Sequence, residues 1–149
     1  MMIDLTLATA HHVAAFLLVG VLVAEFVLVR PGLHTADLPL LGRLDGLYGA
    51  LALALILVGI GRVVFGLKGW EFYVYYPVFW AKMAAFVAVG LLSVLPTLQI
   101  IRWRRATNAG ATKIPEAEIR TLRRFLKAQA ACLLLIPLLA AMMARGIYA

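Results

Sequence analysis

Four ionisable residues lie inside long apolar runs of this sequence: His11, His12, Arg62 and Lys82. Histidine nitrogens bind metal ions, whereas arginine and lysine side chains bind anions. A charge at the centre of a membrane-spanning helix costs on the order of 3 kcal/mol, so such a residue is usually tied to a partner, a ligand or a pathway. These four residues are therefore the first candidates for a functional site.

The elements that must position these residues are four membrane-spanning helices. With 64% hydrophobic and 14% charged residues among 149, the chain is too apolar for a soluble domain of this length. A helix needs about 20 apolar residues to cross a bilayer. Four stretches approach or exceed that length, at about 5–29, 44–65, 78–101 and 122–144. We expect an all-α, antiparallel four-helix bundle that occupies residues 1–149 as one transmembrane domain.

The distribution of positive charge predicts how this bundle is oriented. Of the 14 basic residues, eight flank the connection between spans three and four: Arg102, Arg104, Arg105, Lys113, Arg120, Arg123, Arg124 and Lys127. By the positive-inside rule this connection is cytoplasmic, so both termini and the loop at 66–76 are predicted to lie outside a bacterial inner membrane. The net charge of +7 thus reflects topology rather than nucleic-acid binding. The first nine residues lack the Lys or Arg of a signal peptide, so we expect the first span to be retained.

With this topology, the polar residues of the outer half form one layer. His11, Arg62 and Lys82 lie about one to two turns from the outer ends of their helices, and Lys68 and Arg145 lie on the same side. This layer carries an excess of positive charge. Such an excess requires that some groups stay neutral, reach out to the membrane surface or bind an anion.

The inner layer contains charges of both signs. Its members are Glu25, Arg30, Arg43, Asp45, Gln99 and Arg102. Because these residues can satisfy one another, we interpret the layer as structural and predict that Glu25 pairs with Arg30 or Arg43. A proton route through Glu25 is the alternative.

The outer layer has the residue types that a membrane haem requires, namely an imidazole nitrogen for the iron and cations for the two propionates. His11 or His12 would supply the nitrogen, and only one of them faces a given ligand because adjacent helical residues point about 100° apart. The propionates would be held by Arg62, Lys68, Lys82 or Arg145. A second axial ligand would come from Lys82, Met83, Met142, Met143, water or another subunit. Alternatively, the histidine only hydrogen-bonds a carbonyl or a headgroup, and the basic side chains reach the membrane surface.

Several short motifs follow one another along the chain: His11-His12, Glu25, Arg30-Pro31-Gly32, Arg43-Leu44-Asp45, Arg62 with Phe65-Gly66-Leu67-Lys68-Gly69, and Phe79-Trp80-Ala81-Lys82. In this order they resemble a bacterial family of small four-span membrane proteins of unknown function, over nearly the whole chain. More distantly, the early histidine of span one and the early lysine of span three resemble the HemJ-type protoporphyrinogen oxidases, four-span proteins associated with haem. That resemblance implies that His11 or His12 is the haem or substrate histidine and that Lys82 is its partner.

Three functions remain open from the sequence. The leading hypothesis is a haem b or porphyrin protein of the cytochrome b type, engaged in electron transfer with a quinone or a redox partner, or in porphyrin oxidation. The second is a small transporter or channel subunit, in which the outer layer selects an anion and Glu25 relays protons. The third is a non-enzymatic assembly or lipid-binding subunit. The glycine-rich face of span two favours a homodimer in any of these cases.

Overall fold

The computed structural model describes residues 2–65 and 69–145, and within these ranges it contains helices and no β-strand. The long helices are α1 (Met2–Leu28), α2 (Leu38–Phe65), α4 (Pro77–Asn108) and α5 (Glu116–Ala144). A 3-10 turn, Thr35–Asp37, precedes α2, and the short helix α3 (Gly69–Val74) precedes α4. The four long helices are long and apolar enough to span a membrane, which confirms the predicted all-α, four-span architecture.

The four long helices are arranged as two antiparallel pairs. α1 packs most extensively on α2, and α4 on α5, while smaller contacts between α2 and α4 and between α1 and α5 join the pairs. Met2, Phe65, Pro77 and Arg145 therefore lie at one end of the bundle, called here the terminal end. The opposite end carries the loops 29–37 and 109–115 with most of the basic residues, and is called here the basic end.

The boundaries of the helices follow from residues that cannot continue them. α1 ends before Arg30-Pro31-Gly32, where Gly32 has a φ of 75°, a conformation that residues with a Cβ rarely adopt. Pro77 stands at the first position of α4, where its missing N–H costs no hydrogen bond. After α4, Gly110 with a φ of 99° reverses the chain toward α5.

The core of the bundle is a column of aliphatic side chains contributed by all four long helices. Fully buried members include Leu18, Leu41, Ile100, Ile119 and Leu126. Many other apolar side chains on these helices are exposed, as expected for surfaces that contact lipid chains rather than water. Two polar side chains, Glu25 and Gln129, are buried within this column, and they define one of the sites described below.

Candidate functional sites

Three basic side chains from three helices converge in the terminal half of the bundle. His11 of α1 has electrostatic interactions with Arg62 of α2 and Lys82 of α4, and Arg62 also interacts with Lys82. We call this group the cationic cluster. The sequence predicts that His11, Arg62 and Lys82 lie at one depth in the membrane, and the packing of the helices brings them together.

The imidazole of His11 is half-buried and faces α2. Its Nδ1 atom is buried and has no hydrogen-bond partner. Its Cε1 atom lies 3.9 Å from the place that a Cβ atom on Gly59 would occupy, so the glycine leaves space beside the ring. The Nε atom of Arg62 is also buried without a hydrogen-bond partner. The cluster therefore presents a ring nitrogen and a guanidinium nitrogen that no protein group satisfies.

His12 occupies a different environment from His11. Its side chain is exposed on the surface of α1, and its Nδ1 lies 2.6 Å from the carbonyl oxygen of Ala8. Because a carbonyl only accepts hydrogen bonds, this Nδ1 donates, which leaves the lone pair on Nε2. The two rings are 6.2 Å apart and inclined by 80°. The expectation that adjacent histidines face different directions is thus confirmed.

Among the residues that the structure describes, the cationic cluster has no acidic counterpart. Within residues 2–65 and 69–145, no carboxylate forms an ion pair with His11, Arg62 or Lys82. Arg145 is exposed just beyond α5 and does not join the cluster. Lys68, also predicted as a propionate ligand, lies outside the described residues. The excess of positive charge expected from the sequence is therefore present around His11.

An apolar groove lies on α1 at the same depth as His11. It has a volume of about 620 Å³, within the usual range of about 300–1,000 Å³ for ligand pockets. Its lining is formed by Leu5, Thr6, Thr9, Ala10, Val13, Ala14, Leu17 and Leu51. The groove is open toward the lipid-facing side of the bundle, and its lining does not include His11, Arg62 or Lys82.

A second group of polar side chains lies in the half of the bundle nearer the basic end. Glu25 of α1, Asp45 and Tyr48 of α2, and Gln129 of α5 form this group, called here the carboxylate cluster. The side chains of Glu25, Tyr48 and Gln129 are only 2%, 4% and 1% exposed. Glu25 and Asp45 interact electrostatically, and Tyr48 faces both carboxylates. All four residues thus lie in one buried region between three helices.

Hydrogen bonding within the carboxylate cluster is incomplete. Thr97 of α4 donates a hydrogen bond from Oγ1 to Oδ1 of Asp45 at 2.8 Å. Gln129 lies beside the Tyr48 hydroxyl, but in a geometry that forms no hydrogen bond. Glu25 Oε1, Gln129 Oε1 and the Tyr48 hydroxyl are all buried without a partner. Such groups lose their hydrogen bonds to water on burial and gain none in return.

The predicted pairing of Glu25 with Arg30 or Arg43 is wrong. Both arginines are exposed, Glu25 is buried, and none of these described side chains forms an ion pair with another. The physical reason is that Glu25 points along the same face as Leu18 and Leu22 into the bundle, whereas the arginines lie where water and headgroups solvate them.

The sequence did not lead us to expect Tyr48 and Gln129 as members of the carboxylate cluster. The signal was present for Gln129, because it is a lone amide inside the apolar part of α5. Gln99, which the sequence placed in the inner layer, instead donates a hydrogen bond from Nε2 to Oε2 of Glu118 at 2.5 Å.

A layer of aliphatic side chains separates the two clusters. His11 and Glu25 lie 14 residues apart on α1, which corresponds to about 21 Å along a helix. Between the clusters lie Leu18 on α1, Leu55 on α2 and Val89 on α4, and all three are buried. The cationic and carboxylate clusters are therefore separate sites rather than one continuous polar path.

Comparison with known proteins supports the membrane assignment. Residues 3–148 match the family model described as "Predicted membrane protein (DUF2214)". No curated protein and no solved structure matches the chain. The expected membership of a small membrane protein family without a known function is confirmed, whereas the more distant resemblance to the HemJ-type oxidases finds no support in these comparisons.

Proposed function

The chain belongs to the DUF2214 family of predicted membrane proteins, and we propose that it binds an anionic porphyrin, haem b in the first instance, in the terminal half of its bundle. His11 supplies the nitrogen ligand, and Arg62 and Lys82 hold the propionates. The observation that carries this proposal is the half-buried imidazole of His11, whose Nδ1 has no partner and whose charged neighbours are both cations.

Charge is the first argument for an anionic ligand. Arg62 and Lys82 come from different helices and repel each other where the surrounding side chains are largely apolar. Because no described carboxylate neutralises them, an anion at this place removes an electrostatic cost that the protein alone does not offset. Carboxylate groups, such as the propionates of haem, form strong charge-assisted hydrogen bonds with both side chains.

Shape is the second argument. The ligand must combine negative groups with an apolar surface, because the cationic cluster lies on helices whose other side chains at this depth are largely apolar. Gly59 leaves space beside the imidazole of His11, where a side chain would otherwise stand. A flat macrocycle with acidic substituents has this combination of properties.

The residues of the chain would bind and orient the group rather than perform its chemistry. Haem supplies one-electron transfer through its iron, and the protein tunes that chemistry through the axial nitrogen and nearby charges. Met83 follows Lys82 on α4, and its thioether would be a further group able to bind the iron. An electron partner such as a quinone would reach the site from the bilayer.

His12 is the competing nitrogen ligand. Its hydrogen bond to Ala8 leaves Nε2 free, and such a second contact often orients a metal-binding histidine. However, His12 is exposed on the helix surface and contacts neither Arg62 nor Lys82 in the described part of the chain. His11 is therefore assigned as the ligand, and His12 provides the matched control.

The proposal is tested by absorption spectra of the purified protein, expressed with ample haem and measured oxidised and reduced. We expect a Soret band in the wild type and in His12→Ala, and its loss in His11→Ala. His34→Ala changes an exposed histidine at the basic end and should have no effect. A wild type that shows no Soret band and binds no added porphyrin would refute the proposal.

The role of the basic side chains is tested by porphyrin titration. Loss of one charge-assisted contact weakens binding by roughly 10-fold or more, so Arg62→Gln and Lys82→Met should each raise the dissociation constant by that factor. Arg145→Gln removes an exposed arginine at the same end of the bundle and should change the dissociation constant little. Equal effects of all three variants would indicate a general effect of surface charge.

A further inference from the structure

We propose that the carboxylate cluster is a proton-binding site, in which Glu25 holds a proton deep in the bundle. This site is separate from the proposed porphyrin site and does not depend on it. It is formed by three helices, and Thr97 on the fourth, α4, hydrogen-bonds to it, although these residues are far apart in sequence.

Two buried oxygen atoms of the carboxylate cluster, on Glu25 and Gln129, receive no hydrogen bond. Glu25 Oε1 and Gln129 Oε1 accept hydrogen bonds and cannot donate them. Both are buried, both residues are almost completely enclosed, and neither atom has a donor. The Tyr48 hydroxyl and the Gln129 amide Nε2 carry donor hydrogens, but none of them reaches Glu25 Oε1 in the structure. Glu25 therefore lacks a hydrogen-bond donor or a positive charge.

No described group balances the charge of Glu25. Facing it are Asp45 and Tyr48 from α2, Gln129 from α5, and Thr97 from α4 through its hydrogen bond to Asp45. No cation is among these described neighbours. Ionised Glu25 and Asp45 repel each other, and Glu25, which is 2% exposed, also loses the hydration that stabilises its charge.

The arginines nearest to this region are engaged elsewhere. Arg123 of α5 donates hydrogen bonds to the carbonyl oxygens of Phe26 and Val29, at the end of α1. Arg104 of α4 is exposed and packs over Gly42, one turn before Asp45. Neither guanidinium interacts with Glu25 or Asp45 in the described structure. The negative charge must therefore be balanced by something other than these side chains.

One proton satisfies both requirements. When it adds to a carboxylate oxygen of Glu25, the charge of the pair falls from two negative charges to one, and a new O–H group is formed. The Glu25 carboxyl group then carries no charge in the apolar interior and has one donor of its own in place of a second unpaired acceptor. Within residues 2–65 and 69–145, no group of three or more His, Cys, Asp or Glu side chains is placed to hold a metal.

The two carboxylates differ in their exposure. Asp45 is only partly buried, whereas Glu25 is enclosed. Toward the terminal end, the aliphatic layer of Leu18, Leu55 and Val89 closes the interior of the bundle. Asp45 is thus the more accessible of the two carboxylates.

The experiment is infrared spectroscopy of the full-length protein in phosphatidylcholine liposomes, at neutral pH with choline as the only added cation. We expect a C=O stretching band of a protonated carboxyl group in the wild type, and a shift of this band in D₂O. The band should disappear in Glu25→Gln and move to a new frequency in Asp45→Asn. Glu71→Gln removes an exposed carboxylate at the terminal end and should leave the band unchanged.

Three results would overturn the proposal. The first is a wild type without this band at neutral pH, because both carboxylates would then be ionised. The second is a band that vanishes when Na⁺ or K⁺ replaces choline, which would assign the site to a metal cation. The third is a band that neither Glu25→Gln nor Asp45→Asn alters. The wild-type spectra and Asp45→Asn decide the question even if Glu25→Gln fails to fold.

Discussion

The guanidinium of Arg123 lies 4.2 Å from the centre of the Phe26 ring and donates hydrogen bonds to the backbone carbonyls of Phe26 and Val29. The last carbonyl groups of a helix have no partner within that helix. A side chain of α5 thus caps the end of α1, and its charge also faces the π-electrons of the ring. This contact stabilises the packing of α5 against α1 at the basic end of the bundle.

Replacing Arg123 should therefore loosen the bundle. We expect Arg123→Ala to lower the free energy of unfolding by about 2–3 kcal/mol, because carbonyls bonded to a charged donor lose that donor and the cation–π contact is lost. The measurement is equilibrium unfolding in detergent micelles. Arg124→Ala removes an exposed arginine one residue away and should change stability by less than about 0.5 kcal/mol. Similar losses for the two variants would contradict the capping role.

Glu118 should be a second point of attachment at the basic end, between α4 and α5. Its Oε2 accepts hydrogen bonds from Trp103 Nε1 at 2.6 Å and from Gln99 Nε2 at 2.5 Å. Glu118→Ala leaves both donors without this acceptor, and we expect a loss of about 2–3 kcal/mol in the free energy of unfolding.

Two further variants separate the hydrogen bonds of Glu118 from its charge. Glu118→Gln keeps an oxygen acceptor and should cost about 1 kcal/mol. Arg120→Ala, an exposed change on the same helix, should be nearly neutral. If Glu118→Gln were as damaging as Glu118→Ala, the negative charge rather than the hydrogen bonds would be the source of the stability.

The helices and the cationic cluster could be predicted because they depend on length, composition and depth. Apolar stretches of sufficient length define spans, and counting residues from the ends of the helices places His11, Arg62 and Lys82 at one level. Because consecutive helices are antiparallel and joined by short connections, residues at the same depth on different helices then come close to one another. No detailed knowledge of side-chain packing is required for this result.

The carboxylate cluster could not be predicted in the same way, because it depends on how each helix is rotated about its axis. In a membrane, both the core-facing and the lipid-facing sides of a helix are apolar, so hydrophobic periodicity does not indicate which side faces inward. Glu25 is near Arg30 and Arg43 in sequence, but the rotation of α1 turns it toward Tyr48 and Gln129. Proximity in sequence was therefore misleading.

The orientation of the bundle is tested by cysteine labelling in intact cells. The single native cysteine, Cys132, is first replaced by serine. By the positive-inside rule, a membrane-impermeant maleimide should label Glu71→Cys, at the terminal end, in intact cells. It should label Ala111→Cys, at the basic end, only after lysis. The reverse pattern would place the basic end outside and contradict the predicted topology.

Gly59 tests whether the space beside His11 is needed for the proposed ligand. A Cβ atom at this position would lie 3.9 Å from Cε1 of His11, which is ordinary van der Waals contact. Alanine should therefore be tolerated, whereas the longer side chain of Gly59→Leu extends into the region of the imidazole. We expect Gly59→Leu to abolish the Soret band while the helical circular dichroism signal stays unchanged.

The matched control is Gly49→Leu, because a Cβ atom at Gly49 meets no atom within 4 Å and the residue is exposed on the same helix. This variant adds the same side chain to α2 without entering the interior, so its Soret band should match that of the wild type. Gly59→Ala should likewise retain the band. If Gly59→Leu also retained a full Soret band, the macrocycle would not occupy the space between His11 and α2, and this part of the proposal would be wrong.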